Sequence, residues 1–87
     1  MKPGELVREG ERLLAQGQPV LAPPLYHRLY EEATARDRTT LLHYGLCLEA
    51  AGRLDEAVER YREAVVREPG FFEAHVNLAG VLWRVGE

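Results

Sequence analysis

The stretch LLHYGLCLEAAGRLDEAVERYREAVVREP, residues 41–69, decides the fold. In its second half Leu54, Ala57, Val58, Tyr61, Ala64 and Val65 recur every three or four residues, one apolar stripe along a helix. In its first half Leu41, Tyr44, Gly45, Leu48 and Ala51 keep the same period. Gly52 falls just past the first helix, where a left-handed residue closes it. Asp55 and Glu56 open the second helix at the positive end of its dipole. Pro69-Gly70 ends it, since proline has no amide to give and clashes with the preceding turn. Gly45, Cys47 and Ala57 are small where two axes would come close. Gly45 is therefore expected to meet the second helix near Ala57.

Looser copies of this unit flank it. Upstream, a helix is expected over Glu5–Gln16, and Leu6, Gly10, Leu13 and Gly17 repeat the spacing of Leu41, Gly45, Leu48 and Gly52. Ala22 and Tyr26 align with Ala57 and Tyr61, but Pro23 and Pro24 fall where a second helix should be under way. Proline is tolerated only in a first turn. The helix is thus expected to start near Pro23 after an extended QPVLA linker and to run through Leu25, Tyr26, Leu29, Tyr30 and Ala33. The linker reads either as a loop specialised for a partner or, preferably, as the mark of a shortened helix. Downstream, FFEAHVNLAGVLWRVGE forms the first helix of a third copy. His75, Leu78, Ala79, Leu82 and Gly86 stand there where Leu41, Tyr44, Gly45, Leu48 and Gly52 stand in the second. That alignment sends His75 into the core.

Set out in this way, the unit resembles the tetratricopeptide repeat, a helix-turn-helix of about 34 residues. The family's signature positions hold Leu41, Tyr44, Gly45, Leu48, Ala57, Tyr61, Ala64 and Pro69, with leucine in place of the usual tryptophan and of one usual tyrosine. In the first copy Glu9 stands where a leucine is usual. The resemblance implies an all-α solenoid of five helices in one domain, residues 1–87. It divides into a degenerate repeat at 3–36, a complete one at 38–71 and the first helix of a third at 72–87.

Composition excludes several classes of function. With 87 residues, the core is near the smallest that holds without staples. One cysteine, Cys47, rules out an internal disulfide and suits a reducing, cytoplasmic compartment. No apolar run approaches a membrane span, and no signal peptide is expected at the start. A net charge of −3 and one lysine against ten arginines make no electrostatic case for nucleic acid. No serine is present to act as a nucleophile. Cys47 occupies a small, buried position where a thiol is inert. His27 and Glu31 share a helix face, but a lone pair is two ligands short of a metal site. No cofactor site is expected, and the chain reads as a non-enzyme. Helix-supporting pairs are expected at Glu56–Arg60 and Glu63–Arg67, each worth about 0.2–0.5 kcal/mol, and a cap at Asp37 or Thr39.

What remains is a surface. The resemblance implies a concave face lined by first-helix residues. They are Val7, Arg8, Glu11 and Leu14; Leu42, His43, Leu46 and Glu49; then Val76, Asn77, Gly80, Trp83 and Arg84. Leu42, Leu46, Val76 and Trp83 are more apolar than a solvated face needs, and Arg8, His43, Asn77 and Arg84 rim them. The expected function is a protein-interaction scaffold holding a partner protein or peptide in this groove. The carboxylate clamp of chaperone-binding members is not matched, because Glu73 stands where lysine is needed. Asn77 resembles groove asparagines of repeats attached to sugar-transferring enzymes. The alternative is therefore the leading part of a larger enzyme, such as a glycosyltransferase. Either way the last helix carries more apolar residues than one buried face requires. The expectation is either self-association through it, with or without swapped helices, or a sequence cut from a longer chain.

Overall fold

The computed structural model describes residues 2–32 and 37–86, and every regular element among them is helical. Five α-helices follow one another: α1 (Pro3–Ala15), α2 (Pro23–Glu31), α3 (Arg38–Ala50), α4 (Leu54–Arg67) and α5 (Phe72–Gly86). One 3₁₀ turn, Pro19–Leu21, stands between α1 and α2. Ala33, expected at the end of α2, lies outside the described residues.

The hinges are the same device used twice. Gly17 and Gly52 hold φ at +71° and +78°, the left-handed region that a Cβ resists. After α1 the amide of Gln18 reaches back to the Leu13 carbonyl (2.8 Å). After α3 the amide of Arg53 reaches back to that of Leu48 (2.9 Å). Both close the helix as a Schellman motif. At the start of α3, Asp37 is the cap: its carboxylate accepts from the Thr40 amide at 2.7 Å.

The QPVLA segment is not extended. Leu21 and Ala22 donate to the carbonyls of Gln18 and Pro19, folding it into the 3₁₀ turn. Pro23 and Pro24 have no amide with which to continue an α-helical ladder back into this turn. The turn therefore stands apart from α2, in place of the first turn that α4 has as Leu54–Glu56. α2 then starts at Pro23 and is nine residues long against fourteen for α4.

Two contacts set how closely the helices approach. A Cβ placed on Gly45 would lie 2.4 Å from the Tyr61 ring, and one on Gly10 would lie 2.7 Å from the Tyr26 ring. Each tyrosine is fully buried on α4 or α2 and packs its ring against the glycine of the preceding helix. Gly45 thus meets α4 at Tyr61, one turn beyond Ala57. Gly80, in α5, has nothing within 4 Å of where its Cβ would be.

α3 is at the centre, packed by α2, α4 and the 3₁₀ turn, and its buried residues span more than half of its circumference. Leu42, expected in the groove, is for this reason a core residue, only 6% exposed. α5 packs chiefly on α4, through Ala74 and Val81, with Leu78 half-buried beside them. His75, expected in the core, is exposed, because no described element covers its flank of α5. Its Nε2–H turns back to donate to the Pro69 carbonyl at 2.6 Å. The surface ion pairs also differ from expectation: Glu56 pairs with Arg53 (2.7 Å) and Glu63 with Arg60 (3.1 Å), each three residues apart. No helix among the described residues is long and apolar enough to cross a membrane.

The two environments of glycine give opposite expectations. Gly45→Ala forces the buried Tyr61 ring away and should cost about 1–3 kcal/mol. Gly80→Ala, in open space inside a helix, should gain about 0.5–1 kcal/mol. Urea denaturation of the two variants beside the parent measures both; equal effects would contradict this packing.

Candidate functional site

The buried tyrosines that set the helix spacing also reach the candidate binding face with their hydroxyls. Tyr61 presses its ring on Gly45 and donates its hydroxyl to Glu49 Oε1 at 2.9 Å. The other oxygen of Glu49 accepts from Arg84 at 2.7 Å. One chain of polar contacts thus runs from α4 through α3 to α5. Tyr26 repeats the arrangement a repeat earlier: its ring lies against Gly10, and its hydroxyl stands 3.5 Å from His43 Nδ1 with the rings edge to face. Burial pushes both phenols well above their ordinary range, and for Tyr61 the Glu49 carboxylate pushes further in the same direction.

The expected groove residues therefore separate into three groups. Glu49 and Arg84 are joined to each other, and His43 is half-buried against Tyr26, so these side chains are held in place from behind. Val76 and Trp83 are open, 51% and 74% exposed, and Asn77 is half-buried beside them. Phe72, Glu73, Val76 and Asn77 line a shallow depression of about 190 Å³. Leu46 is half-buried and packs partly on the core, while Leu42 belongs to the core itself. Arg8, exposed on α1, takes no part in the Glu49–Arg84 network.

A second polar cluster escaped the sequence reading because its members come from three helices. Tyr30 donates to Glu63 at 2.6 Å, and the Arg60 guanidinium lies over the Tyr30 ring at 4.2 Å and the Tyr44 ring at 5.8 Å. Cation–π contact holds this guanidinium, whose buried Nε has no hydrogen-bond partner. His27 shares a hydrogen bond with the Tyr44 hydroxyl at 2.9 Å and approaches Glu31 at 3.3 Å. The cluster ties α2 to α3 and α4. Its sequence signal is the shared helix face of His27 and Glu31, with Tyr30 beside them on α2.

Cys47 is fully buried, its thiol donates to the Tyr44 carbonyl at 3.2 Å, and burial pushes it up to about 12. Among the described residues no three histidine, cysteine or carboxylate side chains could share a metal ion. A depression of about 490 Å³ is lined by Asp37, Arg38, Thr39, Arg67 and Glu68 and has Arg38 already paired with Glu68 (3.2 Å). It offers charge without an apolar anchor.

These buried groups fix the pH response. Cys47, Tyr26 and Tyr61 are held protonated in the fold, whereas in the unfolded chain they ionise near their ordinary 9.0 and 10.0. Their contribution to stability is complete below about pH 9 and falls as pH rises through the raised values. Thermal midpoints should therefore drop between pH 8 and pH 11. Absorbance of phenolate at 295 nm should appear together with loss of helical ellipticity. Phenolate forming from Tyr26 or Tyr61 while the helices persist would contradict their burial.

Compared with known proteins, residues 38–81 match the family model of the tetratricopeptide repeat. No curated protein and no solved structure matches the chain.

Proposed function

Because the chain belongs to the tetratricopeptide repeat family, whose members generally mediate protein interactions, we propose that it is a non-catalytic module gripping an extended or short helical peptide along α3 and α5. The observation that carries this reading is Trp83. It is the only tryptophan in the chain, it is 74% exposed, and it sits one residue from the arginine that Glu49 and Tyr61 hold in place. Aromatic and arginine side chains dominate the energy of protein interfaces.

In this reading Trp83 and Val76 anchor apolar side chains of the peptide, and Leu46 supplies the half-buried floor. His43, Asn77 and Arg84 orient its carbonyls or a carboxylate; an acidic group on the peptide would share Arg84 with Glu49. The preorganised Glu49–Arg84 pair lowers the ordering cost of binding, since neither side chain has to be fixed anew. The protonated, buried state of Cys47 supports a role without covalent chemistry, and a lone thiol of this kind suits the cytoplasm.

Peptides selected against the immobilised chain from a random display library test the groove. They should carry an apolar anchor, and binding should shift the emission of Trp83 to shorter wavelength. Trp83→Ala should weaken them by about 2 kcal/mol or more while stability changes by less than about 0.5 kcal/mol, as for an exposed residue. Selected peptides that leave Trp83 emission unmoved and bind Trp83→Ala equally well would place the binding surface elsewhere.

A further inference from the structure

α5 has a bare face whose position is known from the rest of the chain. Ala74, Leu78 and Val81, which meet α4, stand where Thr40, Tyr44 and Cys47 stand in α3. The next flank of α3, Leu41, Gly45 and Leu48, is fully buried, with Gly45 against Tyr61 of α4. Its counterparts in α5, His75, Ala79 and Leu82, are exposed. No described element covers them. Exposed Phe72, Val76 and Trp83 continue this face.

We infer that a second copy of the chain covers it, through an antiparallel pairing of α5 with itself about a two-fold axis at Ala79. The spacing of the exposed residues along the helix is the same in both directions from Ala79, at three, four and seven residues. Reversal sets Ala79 on Ala79, Val76 on Leu82, His75 on Trp83 and Phe72 on Gly86. Small residues therefore meet on the axis, where backbones can approach. Each large side chain outside it faces an apolar or small one, with the imidazole of His75 on the indole. No like charges come opposite each other in this register.

The opposite end of the molecule argues for a closed pair. The outward flank of α1, in the positions of Thr40, Tyr44 and Cys47, holds Glu5, Glu9 and Arg12, with Glu9 and Arg12 paired to each other. This polar surface does not complement the apolar face of α5. Stacking tail to tail is isologous and stops at two, whereas head-to-tail stacking would continue. Phe72 and Trp83, 76% and 74% exposed, offer roughly 300 Å² per copy at 150–250 Å² for a whole aromatic side chain. With the aliphatic residues the pair removes about 1,000 Å² from water, the lower bound of a specific interface. The dimer is therefore a reversible one. Val76 and Trp83 lie on both surfaces, so if the groove reading holds, the second copy and a peptide compete for α5.

The test is sedimentation of the chain from micromolar to millimolar concentration, with no ligand added. The expected result is a mass that rises to two copies and no further. Ala79→Glu, which puts two carboxylates on the axis, should weaken association by about a hundredfold or more with unchanged helicity. It alters no groove residue, so peptide binding by the Ala79→Glu monomer reports on the groove independently of the pairing. Under air oxidation Ala79→Cys should crosslink two copies readily, and Val76→Cys, which faces Leu82, should not. A monomer at every concentration would overturn the pairing and leave the face to a helix of another chain. A mass climbing past two copies, or crosslinking at Val76→Cys in preference to Ala79→Cys, would overturn the two-fold register.

Discussion

The contact on which the rest depends is a tyrosine ring lying on a glycine. Tyr61 on Gly45 and Tyr26 on Gly10 let paired helices approach to backbone distance, which a Cβ on either glycine would prevent. Close packing in protein interiors leaves no room to absorb such a group without moving a neighbour. The contact fixes axial separation within each hairpin, and the left-handed glycines Gly17 and Gly52 fix the reversal of direction. Spacing and reversal together determine a hairpin, and two hairpins with a fifth helix make the array.

The same rings carry the fold into the site. A tyrosine is long enough to fill the interhelical space and still present its hydroxyl to a polar partner. Tyr61 meets Glu49 and Tyr26 meets His43, both on α3. The binding face is thus supported by the packing interaction itself, and the Glu49–Arg84 bond passes that support to α5. α5 has no such ring against it: Gly80 faces open space, and the equivalents of the α4-covered flank are bare. The helix that presents Trp83 is held on one side only, through Ala74, Val81 and the Arg84 bond.

Much of this is legible in the sequence, for reasons of periodicity. Leu6, Gly10, Leu13 and Gly17 against Leu41, Gly45, Leu48 and Gly52 disclose both hairpins and their hinges, and the prolines disclose where α2 begins. Other features are not legible. Leu42 looked free because its own helix stripe did not need it, yet α3 is packed from several sides, which no single-helix pattern reports. His75 was sent to the core by alignment with Leu41, although burial there depends on a neighbouring helix and not on the position. The charge pairs were matched at four residues, but rotamers and the rings of Tyr30 and Tyr44 drew Arg60 toward Glu63 instead. The polar side of the site was visible as residue types, and its wiring through Tyr61 was not.

The central claim, that glycine–tyrosine contact sets the array, is tested most directly by nuclear Overhauser spectroscopy on the unmodified chain. The account predicts strong cross-peaks from the α-protons of Gly45 and Gly10 to the ring protons of Tyr61 and Tyr26, with those α-protons displaced by the ring current. It predicts no aromatic cross-peak from the α-protons of Gly80 that originates in a tyrosine. Ordinary chemical shifts at Gly10 and Gly45, with no contact to either ring, would contradict it.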